Sequence, residues 1–84
     1  MASRERIEDL NAYVRDLGDA LTTITEIRDQ LLRDKELGLA LVDGSGNDLL
    51  QDRIAKVDAA VIMYERNLTR MKALRDRALN GENV

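Results

Sequence analysis

Residues 43–48 read Asp43-Gly44-Ser45-Gly46-Asn47-Asp48, and this is the one stretch where turn-forming residues cluster. Gly44 can take the left-handed conformation that commonly ends a helix, so the chain reverses here. Working outward, both flanks carry helical spacing. Upstream, Ile7, Leu10, Val14, Leu17, Leu21 and Ile24 recur at alternating steps of three and four, which lines one face of a helix. Downstream, Leu50, Ile54, Val57, Val61, Tyr64, Leu68 and Met71 repeat the pattern more cleanly, with the spacing of a coiled-coil seam.

Helix one is expected from a Ser3 N-cap to about residue 42. Gly18 and Gly38 are its weak points, each costing about 1 kcal/mol relative to Ala, and a kink or short separate turn is expected at Gly38. The turn covers 43–47. Asp48 with Gln51 three residues later reads as a capping box, which starts helix two near residue 48. That helix is expected to end near 79, before Asn80-Gly81, with Arg75 and Arg77 favouring the carbonyl end of its dipole. Residues 80–84 form a short tail. Two long helices on so short a link lie antiparallel. The fold class is therefore all-α, an antiparallel two-helix hairpin forming one domain over 1–84.

Charge supports this pairing. The chain carries 13 basic and 16 acidic residues, yet residues 61–79 hold 5 basic and 2 acidic, against 6 and 10 in residues 1–43. An antiparallel hairpin sets the acidic start of helix one beside the basic end of helix two. A net charge of −3 is too balanced to mark a nucleic-acid binder by composition alone.

One hairpin buries one stripe of each helix, and this chain has apolar residues beyond the stripe. Ala59-Ala60-Val61-Ile62-Met63-Tyr64 is apolar for six consecutive positions, which at 100° per residue wraps the whole circumference of helix two. Val61 and Tyr64 face the seam, leaving Ala55, Ala59 and Ile62 roughly opposite it and Ala60 and Met63 on the flank as a second contact surface, the expected oligomer interface. On helix one, Tyr13, Ala20, Ile27 and Leu31 widen the primary stripe. Two helices alone seldom make a stable core, so a homo-oligomer is expected, with a dimeric four-helix bundle favoured and higher helical states open.

Candidate chemistry is thin. The chain has no Cys and no His, which removes the soft ligand sets for zinc, iron–sulfur and haem, and thiol and imidazole catalysis with them. The turn fails as a calcium loop in two registers: from Asp43, Ile54 occupies position 12, and from Leu41, position 1 has no oxygen side chain. Paired carboxylates such as Glu8/Asp9 and Asp16/Asp19 sit off the apolar stripe and read as a solvated face. No enzyme, metal or cofactor is expected. Arg28 and Lys35 continue the step series of helix one, as a polar element of the core whose stems pack, or as a site for an anionic group. Arg66, Arg70 and Arg77 align on one edge of helix two, where they suit an acidic amphipathic partner protein.

The Gly-containing turn ahead of an amphipathic second helix is similar in size and plan to the small helical partners of type III secretion needle chaperones. The hairpin resembles ESX-type secreted hairpins more superficially, since the Trp-x-Gly turn of that family is missing here. Plasmid RNA-binding four-helix bundles share the expected dimeric architecture. The function expected is a non-enzymatic assembly, adaptor or inhibitor protein acting through protein contacts as a homo-oligomer. The alternatives are a secretion-type chaperone partner, implied by that resemblance, and a dimeric RNA- or DNA-binding bundle using the basic end of helix two. No apolar run reaches the ~18 residues of a membrane span and the start lacks a signal-peptide core, so a cytoplasmic protein with no membrane partner is the expectation.

Overall fold

A computed structural model of the chain describes residues 3–39, 42 and 44–84. Helix α1 spans Arg4–Glu36 and helix α2 spans Leu49–Leu79, and no strand is present among the described residues. The two helices run side by side in a rod measuring 58 × 20 × 15 Å. Their antiparallel sense follows from the contacts: Leu10, near the start of α1, is fully buried together with Ala78, near the end of α2. Ile7, Met71, Leu74 and Val84 pack around that pair. The Arg6 Nε–H also donates to the Val84 carbonyl oxygen at 3.3 Å, tying the first turn of α1 to the C-terminal tail.

Both predicted step series form the seam. Leu10, Leu50, Ile54, Val61 and Ala78 are its buried apolar residues, and the remaining series members through Ile24 and Met71 are half-buried. Caps account for the helix starts. The Ser3 hydroxyl accepts from the Arg6 N–H at 3.0 Å and the Asp48 carboxylate from the Leu50 N–H at 2.9 Å, each satisfying one orphan donor. The Asp48 cap thus closes on the second residue of the helix, while Gln51 is exposed.

Helix α1 is shorter than its sequence predicts. It stops at Glu36, and Gly38, with φ of +75°, lies in a turn that ends the helix: of the two expectations there, the turn and not the kink within a longer helix. The Leu39 N–H donates to the Asp34 carbonyl and the Gly38 N–H to Lys35, both at 3.0 Å, the paired bonds of a Schellman motif. The same device ends α2, where Gly81 has φ of +89°, Glu82 bonds back to Arg77 and Gly81 to Ala78. A connection from Leu37 to Asp48 therefore replaces the 43–47 turn, closed by an antiparallel bridge between Val42 and Asp48. Ala40, Leu41 and Asp43, which figured in the predicted helix end, turn and calcium-loop registers, lie outside the described residues.

Candidate interaction surfaces

The seam divides the hairpin surface into two unlike edges. On α1, Tyr13, Ala20 and Ile27 each precede a seam residue; on α2, Ala60, Asn67 and Leu74 do the same. In an antiparallel pair these rows lie side by side along one edge, where flanking residues of the two helices meet. The Leu10–Leu74–Ala78 cluster sets the register, placing Tyr13 level with Leu74, Ala20 with Asn67 and Ile27 with Ala60. Asn11, Gly18, Thr25 and Leu32 form the other edge with Gln51, Asp58, Glu65 and Lys72. Between residues 13 and 27 of α1 and 60 and 74 of α2 the first edge is apolar at all but Asn67, with Arg6, Asp34 and Arg53 continuing its rows toward the ends of the rod, and the second edge is polar at nearly all positions.

Burial follows this division on α2. Ala60, Asn67 and Leu74 are all half-buried, whereas Gln51, Asp58, Glu65 and Lys72 are all exposed. On the apolar edge, Tyr13 is 55% and Ile27 48% exposed. The edge also has a charged rim. One turn back from its α1 row stand Asp9 and Asp16, and one turn back from its α2 row stand Lys56, Met63 and Arg70, with Arg77 a further turn on from Leu74. All of these rim residues are exposed.

The predicted second contact surface spreads over more than one face. Ala60 is half-buried on the apolar edge and Met63, 52% exposed, lies on its rim. Ala55, Ala59 and Ile62 are exposed on the back of α2. There Ile62 lines a shallow open concavity with Glu65, Arg66 and Thr69. The three arginines divide likewise. Arg66 continues the back face, while Arg70 and Arg77 continue the Met63 line, and Arg77 Nε pairs with Glu82 at 3.2 Å.

Arg28 and Lys35 are not brought together as a site. Arg28 holds a seam position with its side chain 32% exposed, and its Nε is buried with no hydrogen-bond partner. Asp29 lies 3.9 Å from that nitrogen, close enough for an ion pair and too far for a hydrogen bond. Lys35 is exposed instead of lying in the core, because α1 ends one residue later and the seam opens; its charge sits in the last turn, where cations favour the helix dipole. A second cation, Arg75, stands in the seam beyond the predicted series. Arg75 follows Met71 by four and precedes Ala78 by three, has its side chain 28% exposed, and pairs with Asp76 at 3.2 Å. The step series itself, carried past Met71, contained that signal.

Among the described residues no cluster of acidic side chains is placed to hold a metal ion, and no helix is long and apolar enough to cross a membrane. Comparisons with protein-family models, with curated proteins and with solved structures return no match.

Proposed function

We propose that this chain is a small non-enzymatic assembly protein, an adaptor or inhibitor that works by presenting helical surfaces to other chains, and that it associates with itself. One observation carries the reading. A rod with five buried apolar side chains among its described residues leaves Tyr13, Ile27, Ile62 and Met63 each about half exposed or more. Scattered exposed apolar residues are ordinary, but these occupy helix faces that repeat at helical spacing in a fold with little core to spare. Self-association offsets the deficit, and the back of α2, with Ala55, Ala59 and Ile62 leading to Arg66, is left for a different protein with an acidic amphipathic segment. Light scattering on the purified chain tests the first half: the mass expected is twice 9.5 kDa. A mass of one chain across micromolar concentrations would remove the reading.

A second reading is supported by the exposed cations Arg66, Arg70, Lys72 and Arg77 in the later half of α2: a dimeric RNA- or DNA-binding bundle. Its mark is salt. Binding to phosphate falls steeply as counterions are added, whereas docking through apolar anchors does not. Titration of a duplex and a single-stranded RNA at two salt concentrations separates the readings.

A further inference from the structure

We propose that the apolar edge formed by Tyr13, Ala20, Ile27, Ala60 and Leu74 is the self-association face, and that its occupant is a second copy of this chain lying with its loop at the same end. The inference rests on the self-association reading above and adds the face and the orientation. Charge complementarity along the rim selects the orientation.

A two-fold dimer through this edge has two possible orientations. With loops at opposite ends, α1 packs on the partner's α1 and α2 on the partner's α2. With loops together, each α1 packs on the partner's α2. Helix α1 holds nine acidic and six basic residues, and α2 four acidic and seven basic. The loops-apart arrangement therefore stacks helices of like net charge, and the loops-together arrangement stacks opposite ones.

The rim sharpens this into named pairs. A two-fold axis along the rod keeps every residue at its own height, so the register within one hairpin also applies between copies. Asp16 then comes within about one helical turn, 5.4 Å, of the height of Arg70 of the partner subunit. Asp9 comes as close in height to Arg77 of the partner subunit. Along the interior, Tyr13 meets Leu74 of the partner subunit and Ile27 meets Ala60 of the partner subunit, while between them the small Ala20 faces Asn67 of the partner subunit, the one polar residue of the strip. This apolar strip runs about 21 Å, from fourteen residues of helical rise.

Within one chain, no ion pair engages Asp9 or Arg70 among the described residues. Asp16 contacts Arg15 at 3.5 Å and Arg77 contacts Glu82, but these pairs are open to water and hold their partners weakly. The loop end agrees with the orientation. Leu37, Leu39 and Val42 are 75%, 56% and 56% exposed there. Loops side by side give these apolar side chains one another as cover; loops apart set them beside the polar tail Asn80-Gly81-Glu82-Asn83.

The chain has no cysteine, so one introduced thiol takes a single spin label. Gly44→Cys suits this, because a Cβ at Gly44 meets nothing within 4 Å and its φ is not positive. In the labelled dimer, pulsed electron paramagnetic resonance should give an inter-label distance of about 30 Å or less, a few helix diameters. Labels separated by nearly the 58 Å length of the rod would overturn the orientation while leaving self-association standing. A mass of one chain would instead overturn both. Asp16→Arg should weaken the dimer about tenfold, counting two copies of one exposed pair turned repulsive. The double change Asp16→Arg with Arg70→Asp should recover most of that loss. Helical circular dichroism confirms that each variant folds, and an Asp16→Arg dimer as tight as the parent would overturn the rim pairing.

Discussion

The open end of the hairpin and its middle are built differently. At the open end, Leu10 is 0% and Ala78 2% exposed, four apolar neighbours close around them, and Arg6 bonds the tail at Val84. In the middle, Val61 is the buried apolar residue, Arg28 takes a seam position, and Ile27, Ile62 and Met63 stand about half exposed. The end is completed within one chain, because the tail folds over it and supplies a third element. The middle has two helices and nothing else. Stability of the single hairpin should accordingly be concentrated at the ends of the rod, and sensitivity to association at its centre.

The largest expected effect follows at the open end. Leu10→Ala removes the one side chain fully excluded from water among the described residues and opens a cavity beneath Val84. The expected loss is about 3 kcal/mol, as for other buried leucines, read as a lowered urea midpoint. Because Leu10 lies beneath the surface that a second copy would cover, its loss should show equally in dilute and concentrated samples. A loss that disappears at high protein concentration would mean the end, too, is completed by another chain.

At the centre the change to make is Ile62→Asp, on the back of α2. If the apolar edge carries self-association, the dimer mass survives this change, since Ile62 stands on a different face. The edge itself is probed by Ile27→Asp, for which dissociation is expected at concentrations where the parent is paired. It places a charge inside the interface, where an unpaired carboxylate is costly. Reversal of these two outcomes would move the interface to the back of α2, onto the surface read from the run Ala59 to Tyr64.

The same contrast explains what could be read from the sequence. Both seams were legible because an antiparallel pair buries the residues that recur at three and four, and the order of elements needed only the Gly44–Gly46 break. The end of α1 differs from its sequence expectation because Leu37-Gly38-Leu39-Ala40-Leu41-Val42 is an apolar run and reads as helix. What ends it is Gly38 in the left-handed region, with Leu39 folding back to Asp34. Leu79-Asn80-Gly81 carries the same signal, and there the polar residues around the glycine made the stop visible. The edges of the seam were harder. Tyr13 and Ile27 widen a stripe in any helical projection, but which α2 residues share their edge depends on the direction and register of the second helix. Neither is a property of one helix alone.

A smaller effect tests whether the glycine ends the helix by conformation alone. Gly38→Ala meets no steric obstacle, since nothing lies within 4 Å of an added Cβ, yet its φ of +75° is one that alanine resists. A loss of about 1 kcal/mol in thermal or urea unfolding is expected, with helical content unchanged. A rise in helical content would mean that the run to Val42 joins α1 once the left-handed residue is gone, which is the helix the sequence predicts.

The smallest expected effect, and the one with the least obvious sign, is at Arg28. Its stem occupies a seam position in the middle of α1, and its Nε is buried without a hydrogen bond, which costs desolvation that the 3.9 Å contact with Asp29 offsets only in part. The side chain remains 32% exposed, so the guanidinium end reaches water and the cost stays moderate. Arg28→Leu keeps the packing volume and removes the orphan donor. It should leave the hairpin as stable as the parent or more stable by up to about 1 kcal/mol in urea unfolding. What it removes is the polar residue that interrupts an otherwise apolar series on α1, and such interruptions restrict the alternative registers of coiled coils. Arg28→Leu should therefore broaden the mass distribution toward states larger than two chains while raising the unfolding midpoint. A lowered midpoint with an unchanged mass would show instead that the guanidinium makes an interaction the hairpin needs, and would turn the seam arginine from a register device into a structural anchor.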